Sequence, residues 1–169
     1  QLKKAFETGG SYVLSDDLKI NSGFSSNLTI VEGTDVNLDL NGKTLTIEIA
    51  TNSNGYVDKV TSKSFYAAIV NKGNLSISNG TLNMYSSWTY DGIVNEGTLT
   101  ISSDTNLVNN TPAIKGLVGH LITNLGGQVT YSGNAEAAST SGIVTYGGSV
   151  TMDDGSITAL GTDSSGIDV

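Results

Sequence analysis

Apolar and polar residues alternate in short runs along most of the chain. Val36-Leu38-Leu40, Leu75-Ile77, Leu99-Ile101, Val129-Tyr131 and Val150-Met152 each carry apolar side chains at every second position. Leu45-Ile47, Leu82-Met84 and Ile157-Ala159 form a second set, each after a polar turn. A third set begins at Ile69, Ile93, Ile122 and Ile143 and reads IVN, IVN, ITN and IVT. Alternation at period two predicts strands with one face in a core. Asn-Gly, Lys-Gly, Glu-Gly and Asp-Gly pairs supply the turns between them.

The runs recur as a unit. Residues 69–82 read IVNKGNLSISNGTL, and residues 93–107 read IVNEGTLTISSDTNL. LDLNGKTLTI, within residues 29–47, matches LSISNGTLNM apart from one extra residue. The glycines that mark each unit are Gly33, Gly73, Gly97, Gly127 and Gly148, in steps of 40, 24, 30 and 21 residues. A unit of roughly 20–30 residues belongs to solenoids. The two long steps place insertions within 50–64 and 108–119. Three short strands per unit close a coil, and stacked coils pair each strand with its equivalent about 4.8 Å along the axis. The expected fold is all-β, a right-handed parallel β-helix. Ile69, Ile93, Ile122 and Ile143 should form one interior column, and Leu75, Leu99, Val129 and Val150 another. Asn71 and Asn95 occupy equivalent sites suited to an amide ladder, with Asn124 nearby.

The N-terminus follows a different period. Leu2, Ala5 and Phe6 stand at i, i+3 and i+4, and Gly9 and Gly10 follow, which predicts a short helix. Residues 1–10 are expected to cap the coils of 11–169 as one domain, because an uncovered coil offers strand edges for aggregation. GIDV at 166–169 has no such cover, so further coils, another domain or a partner subunit is expected to follow.

Charge narrows the partners. The 169 residues carry a net charge of −8, which argues against nucleic acid or an anionic membrane as a partner. All eight basic residues are Lys, and with no Cys there are neither disulfides nor thiolate metal sites. No apolar run approaches the roughly 20 residues that span a bilayer.

The helix, the GGSYVLSDDLKI stretch, LDLNGKTLTI and the IVN-x-G-x-L-x-I units together resemble the pectate-lyase-like right-handed β-helix superfamily. More narrowly they resemble its non-enzymatic members in bacterial surface adhesins and in phage fibre or virion-decoration proteins. The likeness covers nearly the whole chain, and one β-helix carries many activities. The lyases of that superfamily use an Arg or Lys base, usually with Ca²⁺ held by acids. Here there is no Arg, and Lys43, Lys72 and Lys115 sit in no acidic cluster. Its glycosidases carry an Asn-Thr-Asp triplet and a His-Gly pair, where this chain has only Gly-Thr-Asp at 33–35 and 161–163 and a lone His120 in GHL. Asp153-Asp154-Gly155 and Asp16-Asp17 read as corners rather than catalytic pairs, and neither supplies the 6–8 oxygens of a Ca²⁺ site. One imidazole makes no transition-metal site, so His120 is expected as a packed or loop residue.

MYSSWTYDG stands apart in an aromatic-poor chain. Tyr85, Trp88, Tyr90 and Asp91 form a candidate ligand-binding face for a sugar ring or a protein partner. The same rings could instead pack beneath the 50–64 insertion, whose flanks carry Tyr56, Phe65 and Tyr66. The expected function is non-catalytic, a rigid rod outside a phage virion. The alternatives are a bacterial surface adhesin and a fragment of a polysaccharide lyase or hydrolase. Expected partners are capsid or fibre subunits, or a host-surface glycan, in a homo-oligomer of which the trimer is the common form among fibres. No cofactor, metal or membrane insertion is expected.

Overall fold

The structure is a computed structural model that describes residues 1–22, 28–49, 56–57, 64–65, 67–86, 91–110, 119–137, 141–160 and 165–168. After helix α1 (Leu2–Thr8), the chain runs six times along one three-part path, each pass forming a rung. The first rung holds β1 (Gly10–Val13), β2 (Leu18–Ser22) and β3 (Leu28–Ile30). In the second, the long β4 (Asp35–Ile49) fills two positions. A small antiparallel pair, β5 (Tyr56–Val57) and β6 (Ser64–Phe65), precedes β7 (Ala67–Asn71). The third rung holds β8 (Asn74–Ser86) and β9 (Asp91–Asn95), and the fourth β10 (Thr98–Ile101), β11 (Thr105–Asn109) and β12 (His120–Asn124). The fifth has β13 (Gln128–Tyr131), β14 (Asn134–Ala137) and β15 (Ser141–Thr145). The sixth has β16 (Ser149–Met152), β17 (Ser156–Ala159) and β18 (Ile167–Asp168).

Equivalent strands of successive rungs pair in parallel. The first two parts of each rung build a ten-stranded sheet with two flanks, and the third part builds a six-stranded sheet. We call the flanks A (β1, β10, β13, β16 and the first halves of β4 and β8) and B (β2, β11, β14, β17 and the second halves). The architecture is therefore mostly β, with parallel sheets and one short N-terminal helix.

The apolar columns lie where the alternation places them. Ile69, Ile93, Ile122 and Ile143 are register partners and fully buried. Leu75, Leu99 and Val129 are likewise aligned and buried, while Val150 on the sixth rung is only partly covered. Both columns join one core cluster that also takes in Leu2 and Phe6 of the helix. Helix α1 packs against β1 and β3, and Gly9 ends it at a φ of 81° that side chains disfavour. Tyr131 and Ile143 are 0% exposed, whereas their partners one rung on, Met152 and Ile167, are 40% and 41% exposed.

The repeated IVN-x-G phrase has a structural cause at the corner between the six-stranded sheet and flank A. Asn71 Nδ2 donates to Asn95 Oδ1 at 2.8 Å, and Asn95 Nδ2 donates to Asn124 Oδ1 at 2.9 Å. The same nitrogens reach the corner carbonyls, Asn95 to Gly97 and Asn124 to Gly127, each at 3.0 Å. Each corner glycine carbonyl also accepts an N–H from the next rung, Thr98 to Gly73 and Gln128 to Gly97. A Cβ at Gly97 would collide with the Gly73 carbonyl, so the position excludes every side chain. Asparagine and glycine therefore recur as one fastening.

The steps differ chiefly because the connections differ at one corner. Between flank B and the six-stranded sheet the chain spends residues 50–66 in the second rung but 87–90 in the third and 138–140 in the fifth. The second expected insertion starts later than its 108–119 assignment, since β11 continues to Asn109. Most of both insertions lies outside the described residues. Where one extra residue was expected in LDLNGKTLTI, β4 carries two against β8, taken up as a register shift between Asp39 and Lys43.

Candidate functional site

Tyr85 lies on flank B, near the end of β8, with its ring turned outward and 42% exposed. It faces Glu48 of the neighbouring rung, and on the other side stands Asn110, which directly follows the Asn109 partner of Met84. Lys19 neutralises Glu48 at 2.7 Å, and Asn110 Nδ2 donates to Asn83 Oδ1 at 3.0 Å. Trp88 and Tyr90 lie outside the described residues, as do the side chains of Tyr56, Phe65 and Tyr66.

Asp91 has a different setting from Tyr85. It opens β9, is 6% exposed, and its Oδ1 accepts three donors: the His120 N–H at 2.8 Å, His120 Nδ1 at 3.0 Å and Thr123 Oγ1 at 3.0 Å. A carboxylate oxygen opposite Nδ1 keeps the proton on that nitrogen. Asp91 thereby ties β9 to β12, and His120 is a packed residue, as expected, though with an acidic partner the sequence reading did not assign. The signal was available: Asp91 stands two residues before Ile93, and His120 two before Ile122, so the repeat puts both in one slot.

Four other carboxylates serve turns. Asp17 Oδ1 accepts the Thr44 N–H, Asp39 Oδ1 the Asn41 N–H, and Asp154 Oδ1 the Gly155 N–H. Asp104 accepts from Ser102 Oγ and from the Asn79 N–H, and these hydrogen bonds hold its pKa below the ordinary 3.8. Asn41 and Asn79 take left-handed φ values of 51° and 59° at the same corner. Lys72 lies 3.8 Å from Glu96, and Lys115 is outside the described residues. Inside the fifth rung, burial raises the pKa of the Tyr131 phenol, whose hydroxyl has no hydrogen-bond partner among the described residues.

Two shallow grooves run across the outer flanks. The groove on flank A, about 310 Å³, is lined by Asp35, Asn37, Asn74, Ser76, Thr98 and Thr100. Its longer polar side chains bond one another, Asn74 Nδ2 to Asp35 Oδ1 and Ser76 Oγ to Asn37 Oδ1. The groove on flank B, about 370 Å³, includes Thr81, Asn106, Asn134, Glu136, Ser156 and Thr158. There Ser156 Oγ donates to Asn134 Oδ1, while Thr81, Asn106, Glu136 and Thr158 have no side-chain partner among the described residues. No known protein family, curated protein or solved structure matches the chain.

Proposed function

We propose that the chain is a right-handed parallel β-helix of the pectate-lyase-like kind, acting as a rigid, non-catalytic rod segment on the exterior of a phage virion. The observation that carries this is the in-register stacking of apolar columns and the Asn71–Asn95–Asn124 ladder from rung to rung. Such a wall transmits position along its axis and offers flat flanks to partners. Five of the acids have structural work: Asp17, Asp39, Asp104 and Asp154 hold turn N–H groups, and Asp91 fastens β9 to β12. A general acid or base needs a carboxyl group free to meet substrate. The chain also has no Arg to clamp a uronate.

Incubation with polyuronates and neutral glycans, with and without Ca²⁺, tests the proposal. The expected result is no new reducing or unsaturated ends. Turnover that is lost in Asp153→Asn or Asp154→Asn would overturn it. The exposed Tyr85 ring beside amides favours a second reading, a bacterial surface adhesin. Immunogold labelling in the source organism, on particles or on the cell envelope, separates the two.

A further inference from the structure

We infer that the outer face of flank B binds a neutral glycan, lying across the third to sixth rungs with the Tyr85 ring at its margin. This deepens the non-catalytic proposal above and rests on it. Three observations carry it. The first is hydrogen-bonding capacity. The Asn106 amide, the Thr81 and Thr158 hydroxyls and the Glu136 carboxylate line one groove without partners among the described residues, whereas on flank A Asn74 donates to Asp35 and Ser76 donates to Asn37. Hydroxyl-rich ligands are recognised by such groups, which both donate and accept.

The second is Tyr85, an exposed ring on the same flank with Asn83 and Asn110 beside it. A flat ring rimmed by amides suits the apolar face and polar edge of a pyranose. The third is charge. Glu136 is the one charged residue lining the groove, and Lys19 already neutralises Glu48, on a chain of net charge −8. An anionic polysaccharide is repelled there, while a neutral one can donate its hydroxyls to Glu136. Rungs spaced by about 4.8 Å advance by close to one hexopyranose unit, so successive sugars of an extended chain meet successive rungs.

Isothermal titration calorimetry with cellohexaose, xylohexaose, laminarihexaose and mannohexaose, and polygalacturonate as the anionic comparison, tests this. At least one neutral hexaose should bind and polygalacturonate should not. Tyr85→Ala and Asn106→Ala should each weaken binding by about tenfold or more, whereas Thr100→Ala on flank A should leave it unchanged. Melting temperatures recorded alongside show whether each variant is folded. If Tyr85→Ala melts early, Glu136→Lys and Thr158→Lys obstruct the groove from exposed positions and should abolish binding. Absence of binding by every hexaose, equal binding of polygalacturonate, or unchanged affinity in the folded flank B variants would overturn the inference. Cleavage of a bound hexaose would overturn the non-catalytic proposal and leave the binding face standing.

Discussion

Asn95 accepts from Asn71, and its own amide nitrogen donates to Asn124 and to the Gly97 carbonyl, all out of water. Truncation leaves buried groups on two rungs unpaired, each costing about 1–3 kcal/mol. Asn95→Ala should therefore lower stability by about 2–4 kcal/mol, read as a drop in the urea midpoint. Asn95→Asp should cost more, since it turns a carboxylate toward the Gly97 and Asn124 oxygens. A loss in Asn95→Ala too small to measure would remove the ladder from the account of stability. Asp104 makes the milder case. Its pKa is lowered in the fold, so its contribution is present above its unfolded pKa and is lost as pH falls through the lower folded value. Ser102→Ala removes the largest cause of that shift, and NMR titration should show the Asp104 carboxyl moving back up toward 3.8. The ladder was legible in the sequence because equivalent asparagines recur beside equivalent glycines. The Asp91–His120 contact follows from the same alignment. What the sequence reading weighed at Asp91 was its chain neighbours, Trp88 and Tyr90, while the contact comes from a strand 29 residues away.

Strands and helix differ in how much each tells about itself. The strands announce their buried face by alternation, and the Ile93 column lies where period two places it. Ile93→Asp should unfold the protein, because an unpaired charge in a dry column costs more than a domain can spare. Circular dichroism should show loss of β structure at ambient temperature. Helix α1 is only seven residues long, too short to persist alone, and its stability comes from Leu2 and Phe6 docking on the first rung. Phe6→Ala should cost about 3–5 kcal/mol and expose the edges of β1 and β3. Light scattering should then show aggregation at temperatures where the unaltered chain stays clear. The ends of the connections were harder to read. Val108 and Asn109 look like loop in a polar stretch, yet pairing with β8 and β14 draws them into β11. Long-range pairing decides such boundaries, and local sequence does not record it.

At the scale of the whole molecule, each rung contacts its neighbours and little else, so the fold should tolerate loss of a complete unit. Deleting residues 98–127 removes β10, β11 and β12 and joins Gly97 to Gln128, the register partner of Thr98 one rung on. Val129 should then stack on Leu75, and Ile143 on Ile93. This shortened chain should unfold cooperatively at a lower melting temperature. Deleting 98–109 alone, which removes β10 and β11 but leaves β12, should give insoluble protein. Equal behaviour of the two deletions would contradict rung-by-rung stacking. The repeat made this architecture readable, since a 20–30-residue period leaves few alternatives. The binding flank was not readable in the same way. Thr81, Asn106, Glu136 and Thr158 are scattered over four strands, and only the register gathers them.

The uneven steps of the repeat acquire a meaning from where the extra residues go. Two corners of each rung are tight: one holds stacked glycines, the other left-handed asparagines and turn carboxylates. Length varies most at the third corner, where flank B hands the chain to the six-stranded sheet. Mutation can therefore lengthen the chain along one seam without disturbing the columns, as a bookshelf takes new volumes from the front. That seam adjoins the flank that carries Tyr85, so new loops would arise beside the proposed ligand and could alter what it contacts. A ten-residue Gly-Ser insertion within 138–140 should leave the melting temperature nearly unchanged. The same insertion between Glu96 and Gly97 should abolish folding.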